Sequence, residues 1–236
     1  MTENENLLTH TINSIYDLIT NNPEFQLSQN DTDLLNLRKN FNTFKEFLRS
    51  FLLNKDVFRD DLYLDFSRFK KLYEDSAISI NIKKKFSAEL VWFVISTYVY
   101  GYDKHNKITF ENFEVLMPKE GKEIITKDDF KIIEKEILHP FYDKLINENG
   151  YWTKITLINY LENNNLINKN FEVIFCDEAQ DFTKIELEFI NSISLYNNYN
   201  LSNVNQYPIV FAGDALQTVN PTGFKSQVLT SMIYKS

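Results

Sequence analysis

Two apolar runs near the C-terminal end of the chain stop abruptly on acidic residues. The first, Phe171-Glu172-Val173-Ile174-Phe175-Cys176, is followed by Asp177-Glu178-Ala179-Gln180-Asp181-Phe182. The second, Pro208-Ile209-Val210-Phe211-Ala212, is followed by Gly213-Asp214-Ala215-Leu216-Gln217. Each run reads as a fully buried strand. Buried strands that end on acids fit a parallel α/β sheet, whose ligands sit outside the carboxyl ends of the strands. A carboxylate at that edge can hold the hydration shell of Mg²⁺, which keeps several waters and takes one or two carboxylates plus substrate phosphates. Asp177 is the candidate metal ligand. Glu178 is the candidate catalytic group that orients or deprotonates a water attacking a terminal phosphate, since phosphoryl transfer needs mostly positioning and charge neutralisation. Gln180 and Gln217 are candidates for sensing that phosphate. The competing reading is ordinary loop acids, which occur at strand ends in any α/β protein.

Most of the preceding chain reads as helix. Leu8, Ile12, Ile15 and Ile19 recur at helical spacing over 7–20, before Asn21-Asn22-Pro23. From Asp31 to Asn54, Leu34, Leu37, Phe41, Phe44, Leu48 and Phe51 form the seam of a long helix packed lengthwise on another. Further helices are expected between Val57 and Tyr73, and from Phe86 to Tyr98 until Gly101 breaks the pattern. Thr109 caps a short helix through Val115. Thr126-Lys127-Asp128-Asp129 has the form of a capping box opening a helix to Glu148, kinked at His139-Pro140. After Gly150, a helix from Tyr151-Trp152-Thr153 turns Ile155, Ile158 and Leu161 inward. The Asn-rich stretch 163–170 is the best boundary, and Thr183 caps a helix beyond the first strand. A polar loop is expected over 196–206.

Composition narrows the class. The 236 residues are 43% hydrophobic, ample for a core, and the net charge is −8. Lys+Arg against Asp+Glu number 22 and 26 through Asn170 and 3 and 7 after it. Neither part is basic, so tight nucleic-acid binding by this chain alone is not favoured. Lys83-Lys84-Lys85 reads as a solvated helix face. The lone Cys176 fits a reducing compartment. The N-terminus shows no signal peptide, and no apolar run reaches the ~20 residues of a membrane span, so a cytoplasmic protein without membrane contact is expected. Asp103 to Lys107 fails as a calcium loop, since Lys107 takes a ligand position and Ile108 replaces the turn glycine. His10, His105 and His139 have no Cys or His at zinc spacing.

Asp-Glu-Ala-Gln-Asp after one strand and Gly-Asp-x-x-Gln after the next resemble motifs II and III of the UvrD/Rep-type superfamily 1 helicases. The wording over 211–224, Phe-Ala-Gly-Asp-Ala-Leu-Gln-Thr-Val-Asn-Pro-Thr-Gly-Phe, is similar to the large UvrD-like ATPases that include ankyrin- and tetratricopeptide-linked members. The resemblance covers 171–224, with a looser echo in Tyr142, Trp152 and Leu157. It implies a mainly α chain with a partial α/β portion. Residues 1–170 would be the helical subdomain inserted in the first helicase domain, and 171–236 part of a P-loop (RecA-like) parallel sheet. It implies Asp177 on Mg²⁺, Glu178 and Gln217 in catalysis, and Gln180 and Asp214 at the nucleotide. Single-stranded nucleic acid, DNA rather than RNA, is the partner implied for an intact parent.

Two departures limit this. The phosphate loop Gly-x-x-x-x-Gly-Lys-Ser/Thr is missing: the only Gly-Lys, Gly121-Lys122, precedes Glu123, and Leu116 stands where the first glycine belongs. The chain therefore reads as a slice of a larger protein or a truncated reading frame, with Mg²⁺ and ATP bound by the intact parent and neither held tightly by this chain alone. In addition, Asn220 and Gly223 stand where the family has a base-stacking aromatic and then an arginine. Phe224 is the substitute, and Asn220 and Phe224 are the candidate nucleic-acid contacts. The rival reading is a non-catalytic module on the same scaffold that binds a protein partner or itself.

Overall fold

Short polar caps decide where the helices begin in the computed structural model, which describes residues 5–21, 42–104, 108–116, 125–167, 171–194 and 209–214. α1 (Glu5–Thr20) follows the expected pattern, with Ile12 buried. Thr43 caps α2 (Phe44–Arg49), its Oγ1 accepting the Glu46 amide at 3.2 Å. Of the helix expected over 31–54, residues 31–41 lie outside the described residues, and the remainder ends early, at Arg49. The reason is local: the amides of Ser50, Phe51 and Leu52 reach carbonyls three residues back, at 3.0, 3.2 and 3.2 Å, which tightens and closes the turn.

The single helix expected between Val57 and Tyr73 is also corrected. Two 3₁₀ turns, Lys55–Phe58 and Asp60–Leu62, precede α3 (Phe66–Asp75). Asn54 and Asp65 divert the chain by accepting the amides of Asp56 and Arg68 at 2.9 and 2.8 Å. Short polar side chains compete with the helix in this way. Trp152 takes up the backbone between them, accepting from the Leu64 amide at 2.7 Å and donating to the Leu62 carbonyl at 3.0 Å.

Ser79 and Ser87 cap α4 (Ile80–Lys85) and α5 (Ala88–Trp92). α5 widens into a π-helix, Phe93–Val99. α6 (Phe110–Leu116) is followed by α7 (Lys127–Ile133), which opens on the capping box of Thr126 and Asp129. Where a kink is expected at Pro140, a second π-helix, Glu134–Tyr142, leads into α8 (Asp143–Asn147). Proline lacks an N–H and crowds the preceding turn of an α-helix; the wider turn is one way to relieve that. Gly150, at φ 73°, ends the segment, and Thr153 caps α9 (Lys154–Asn163).

β1 (Ile174–Cys176) and β2 (Ile209–Phe211) pair in parallel, with Ile174 opposite Ile209, Phe175 opposite Val210 and Cys176 opposite Phe211. α10 (Lys184–Ser192) connects them in sequence. The molecule is thus mainly helical with a small parallel sheet. β1 is not fully buried as its sequence suggests. Ile174 and Cys176 face the core, whereas Val173, Val210 and Phe175, the last 67% exposed, lie on an open face.

Among the described residues two apolar cores form. One joins α2, α9, β1 and α10 through Phe44, Leu157, Leu161, Phe182 and Phe189. The other joins α3, α5, α6, α7 and both π-helices through Phe69, Val91, Ile95, Phe113, Phe130 and Ile137. They meet at Gly101, where a Cβ would lie 2.3 Å from the Ser96 carbonyl and 2.7 Å from that of Thr97. The Gly101 carbonyl accepts the Ile185 amide at 3.0 Å, and Lys184 Nζ donates to the Tyr102 carbonyl at 3.1 Å. No helix among the described residues is long and apolar enough to cross a membrane.

Candidate functional site

The parallel pairing carries the ends of β1 and β2 to the same edge of the sheet, and the backbone there departs from a regular ladder. The Ala212 amide donates to the Cys176 carbonyl at 2.8 Å, and the Ala212 carbonyl accepts the Ala179 amide at 2.8 Å. A regular parallel ladder leaves one residue between those two bonds; here Asp177 and Glu178 both stand opposite Ala212. This is a bulge, which re-aims side chains at a sheet edge. Glu178 makes it possible by taking the left-handed conformation, φ 53° and ψ 44°, a region that costs a side-chain-bearing residue roughly 1–2 kcal/mol. Asp177 Oδ1 accepts the Glu178 amide at 3.0 Å.

Beyond the bulge a 3₁₀ turn, Ala179–Asp181, leads to Phe182 and the α10 cap. Phe182 is fully buried, its ring edge-on to Phe44 at 5.0 Å, an anchor that contributes roughly 2–3 kcal/mol by burial. Thr183 and Glu186 form a capping box: Glu186 Oε2 accepts from the Thr183 amide at 2.7 Å and from its hydroxyl at 3.0 Å. Glu186 Oε1 also lies 3.1 Å from Lys154 Nζ, which ties α10 to α9.

The expected site residues divide as follows. Asp177 and Asp214 are exposed and Glu178 is half-buried, each at the shared edge. Gln180, the candidate for contact with a nucleotide, is 1% exposed and turned inward. Its Nε2 donates to Glu178 Oε2 at 2.5 Å, and its Oε1 accepts the Asp214 amide at 3.1 Å. Gln217, Asn220 and Phe224 lie outside the described residues. Gly213 emerges as a site residue, since a Cβ there would come within 2.3 Å of Gln180 Oε1 and 3.0 Å of the Ala179 nitrogen. The glycine directly before Asp214 was the available sign of that close approach.

Among the described residues no group of three or more His, Cys, Asp or Glu forms a ready metal cage. An edge with exposed Asp177 suits a cation that keeps most of its water, as Mg²⁺ does. A separate cavity of about 150 Å³ lies at the seam of the two cores, lined by Asp65, Ser96, Tyr142, Lys154, Asp181 and Glu186 among others. It shares only Asp181 with the acidic stretch. His139 has its partner one helical turn on: Nδ1 is 2.9 Å from Asp143 Oδ2, while Asp143 Oδ1 accepts the Tyr100 hydroxyl. No protein-family model, curated protein or solved structure matches the chain.

Proposed function

We propose that this chain supplies the metal-binding and water-activating part of the ATP site of a UvrD-like superfamily 1 ATPase or helicase, within a RecA-like sheet that other parts of the parent complete. The observation carrying this reading is the parallel pairing of β1 with β2, which sets Asp177-Glu178 and Gly213-Asp214 at one edge. Mg²⁺ would neutralise charge on the phosphates when bound. Asp177, exposed at the bulge, would hold it through its waters. Glu178, with one carboxylate oxygen fixed by Gln180, keeps its other oxygen to accept a proton from an attacking water. The sequence has no glycine-rich loop to cradle phosphates, so ATP turnover is assigned to the parent, as is single-stranded DNA as partner.

The test is Mn²⁺ titration of the full chain, read by paramagnetic broadening of backbone resonances. Asp177, Glu178 and Asp214 are expected to broaden first, and Asp177→Asn to remove the effect. Broadening spread evenly over surface carboxylates, or unchanged in Asp177→Asn, refutes the reading.

A second reading, a non-catalytic module that binds a protein partner, is favoured by the open apolar face of Val173, Phe175 and Val210. A phosphate loop encoded upstream in the same reading frame would decide for the ATPase.

A further inference from the structure

We infer that Gln180 is a positioning residue that couples the Glu178 carboxylate to the backbone after β2. Its catalytic meaning rests on the function proposed above; the coupling itself does not. Both ends of one buried carboxamide are engaged. The donor end holds Glu178 Oε2 at 2.5 Å and the acceptor end holds the Asp214 amide at 3.1 Å. The side chain is 1% exposed, so water does not readily replace either bond.

Gly213 closes the arrangement. With no side chain, it lets the β2 loop lie against the 179–180 backbone; any Cβ would press on Gln180 Oε1. A displacement of the Gly213-Asp214 backbone therefore moves the Gln180 amide, and the amide carries Glu178 with it. Glu178 sits on a left-handed backbone with its own amide held by Asp177, so the side chain is the part free to respond. The consequence is that whatever shifts the loop after β2 turns the water-activating carboxylate toward or away from its working position.

The test uses the full chain and carbon-13 detection of the Glu178 side-chain carboxyl. Gly213→Ala is expected to shift that resonance in the otherwise native chain and to leave it unmoved in a Gln180→Leu background. No shift in the native background, or an equal shift in both, overturns the inference. If Gly213→Ala does not fold, hydrogen exchange at the Asp214 amide takes its place. Gln180→Leu is expected to lose about fivefold to tenfold of that protection, the value of one ordinary hydrogen bond. Equal protection in Gln180→Leu and the native chain overturns it. None of these readouts involves metal, so failure of the Mn²⁺ titration and failure of the coupling are told apart.

Discussion

Replacing Glu186 with alanine removes two interactions of different kind, and their sizes can be worked separately. The capping box at Thr183, with contacts of 2.7 and 3.0 Å, contributes about 1 kcal/mol, the usual cost of losing an N-terminal cap. The contact with Lys154, at 3.1 Å between side chains 3% and 17% exposed, belongs with buried pairs, whose disruption from one side costs about 3–5 kcal/mol. Because Lys154 keeps some access to water, the lower figure applies, and Glu186→Ala is expected to lose about 4 kcal/mol in all. That is a large fraction of the roughly 5–15 kcal/mol that holds a domain folded. For a chain of this size it lowers Tm by roughly 10 °C. The assay is urea unfolding followed by the fluorescence of Trp92 and Trp152, which lie in different cores. Two controls sharpen it. Glu186→Gln keeps the acceptor but not the charge and is expected to lose about half as much. The pair Lys154→Met with Glu186→Leu removes both charges and is expected to be more stable than Glu186→Ala alone. A loss under about 1 kcal/mol for Glu186→Ala, or a double variant weaker than the single one, refutes the assignment of Lys154–Glu186 as the tie behind the acidic turn.

Gly101→Ala forces a methyl against two backbone carbonyls and is expected to lose about 2–3 kcal/mol by overpacking; unchanged urea unfolding would show that the two cores can separate there. Burial pushes the Tyr73 and Tyr98 hydroxyls up to about 12 and raises those of Tyr100 and Tyr142 as well, Tyr100 with help from its bond to Asp143. Folded values above the unfolded one favour the native state fully below about pH 10, and that contribution is lost as the pH rises beyond it. In an alkaline titration of tyrosinate absorbance these four are expected to ionise only together with unfolding. A single transition near pH 10 in a chain that keeps its circular dichroism would contradict this.

The parts of the fold set by neighbouring residues were readable in advance. Thr126 with Asp129, and Thr183 as a cap, follow from side chains three residues apart. The two strands and their acidic ends follow from apolar runs that stop, and their parallel pairing follows from the same pattern. What escaped depended on distant residues. Residues 62–64 leave the helical path because Trp152, far along the chain, bonds their backbone. Helical spacing at Phe51 could not disclose that the turn had already tightened. Strand burial was overestimated because an apolar residue such as Phe175 reads alike whether its face is covered or open. At the edge, Asp177 and Asp214 could be placed by their neighbours in sequence, but the inward turn of Gln180 required the loop after β2. The helix at 80–85 was legible only through Lys83-Lys84-Lys85, read as a solvated helix face, and not through any apolar spacing.

Glu178 illustrates a conflict between what the backbone favours and what the site requires. Its left-handed geometry is one that glycine adopts without penalty, and among the described non-glycine residues only Asn165 shares a positive φ. A redesign scored on stability alone would exchange this glutamate for glycine, recover about 1 kcal/mol of strain, and discard the half-buried carboxylate that Gln180 holds beside the sheet. Stabilising programmes on such a chain should therefore hold position 178 fixed, since the more robust product would be the emptier one.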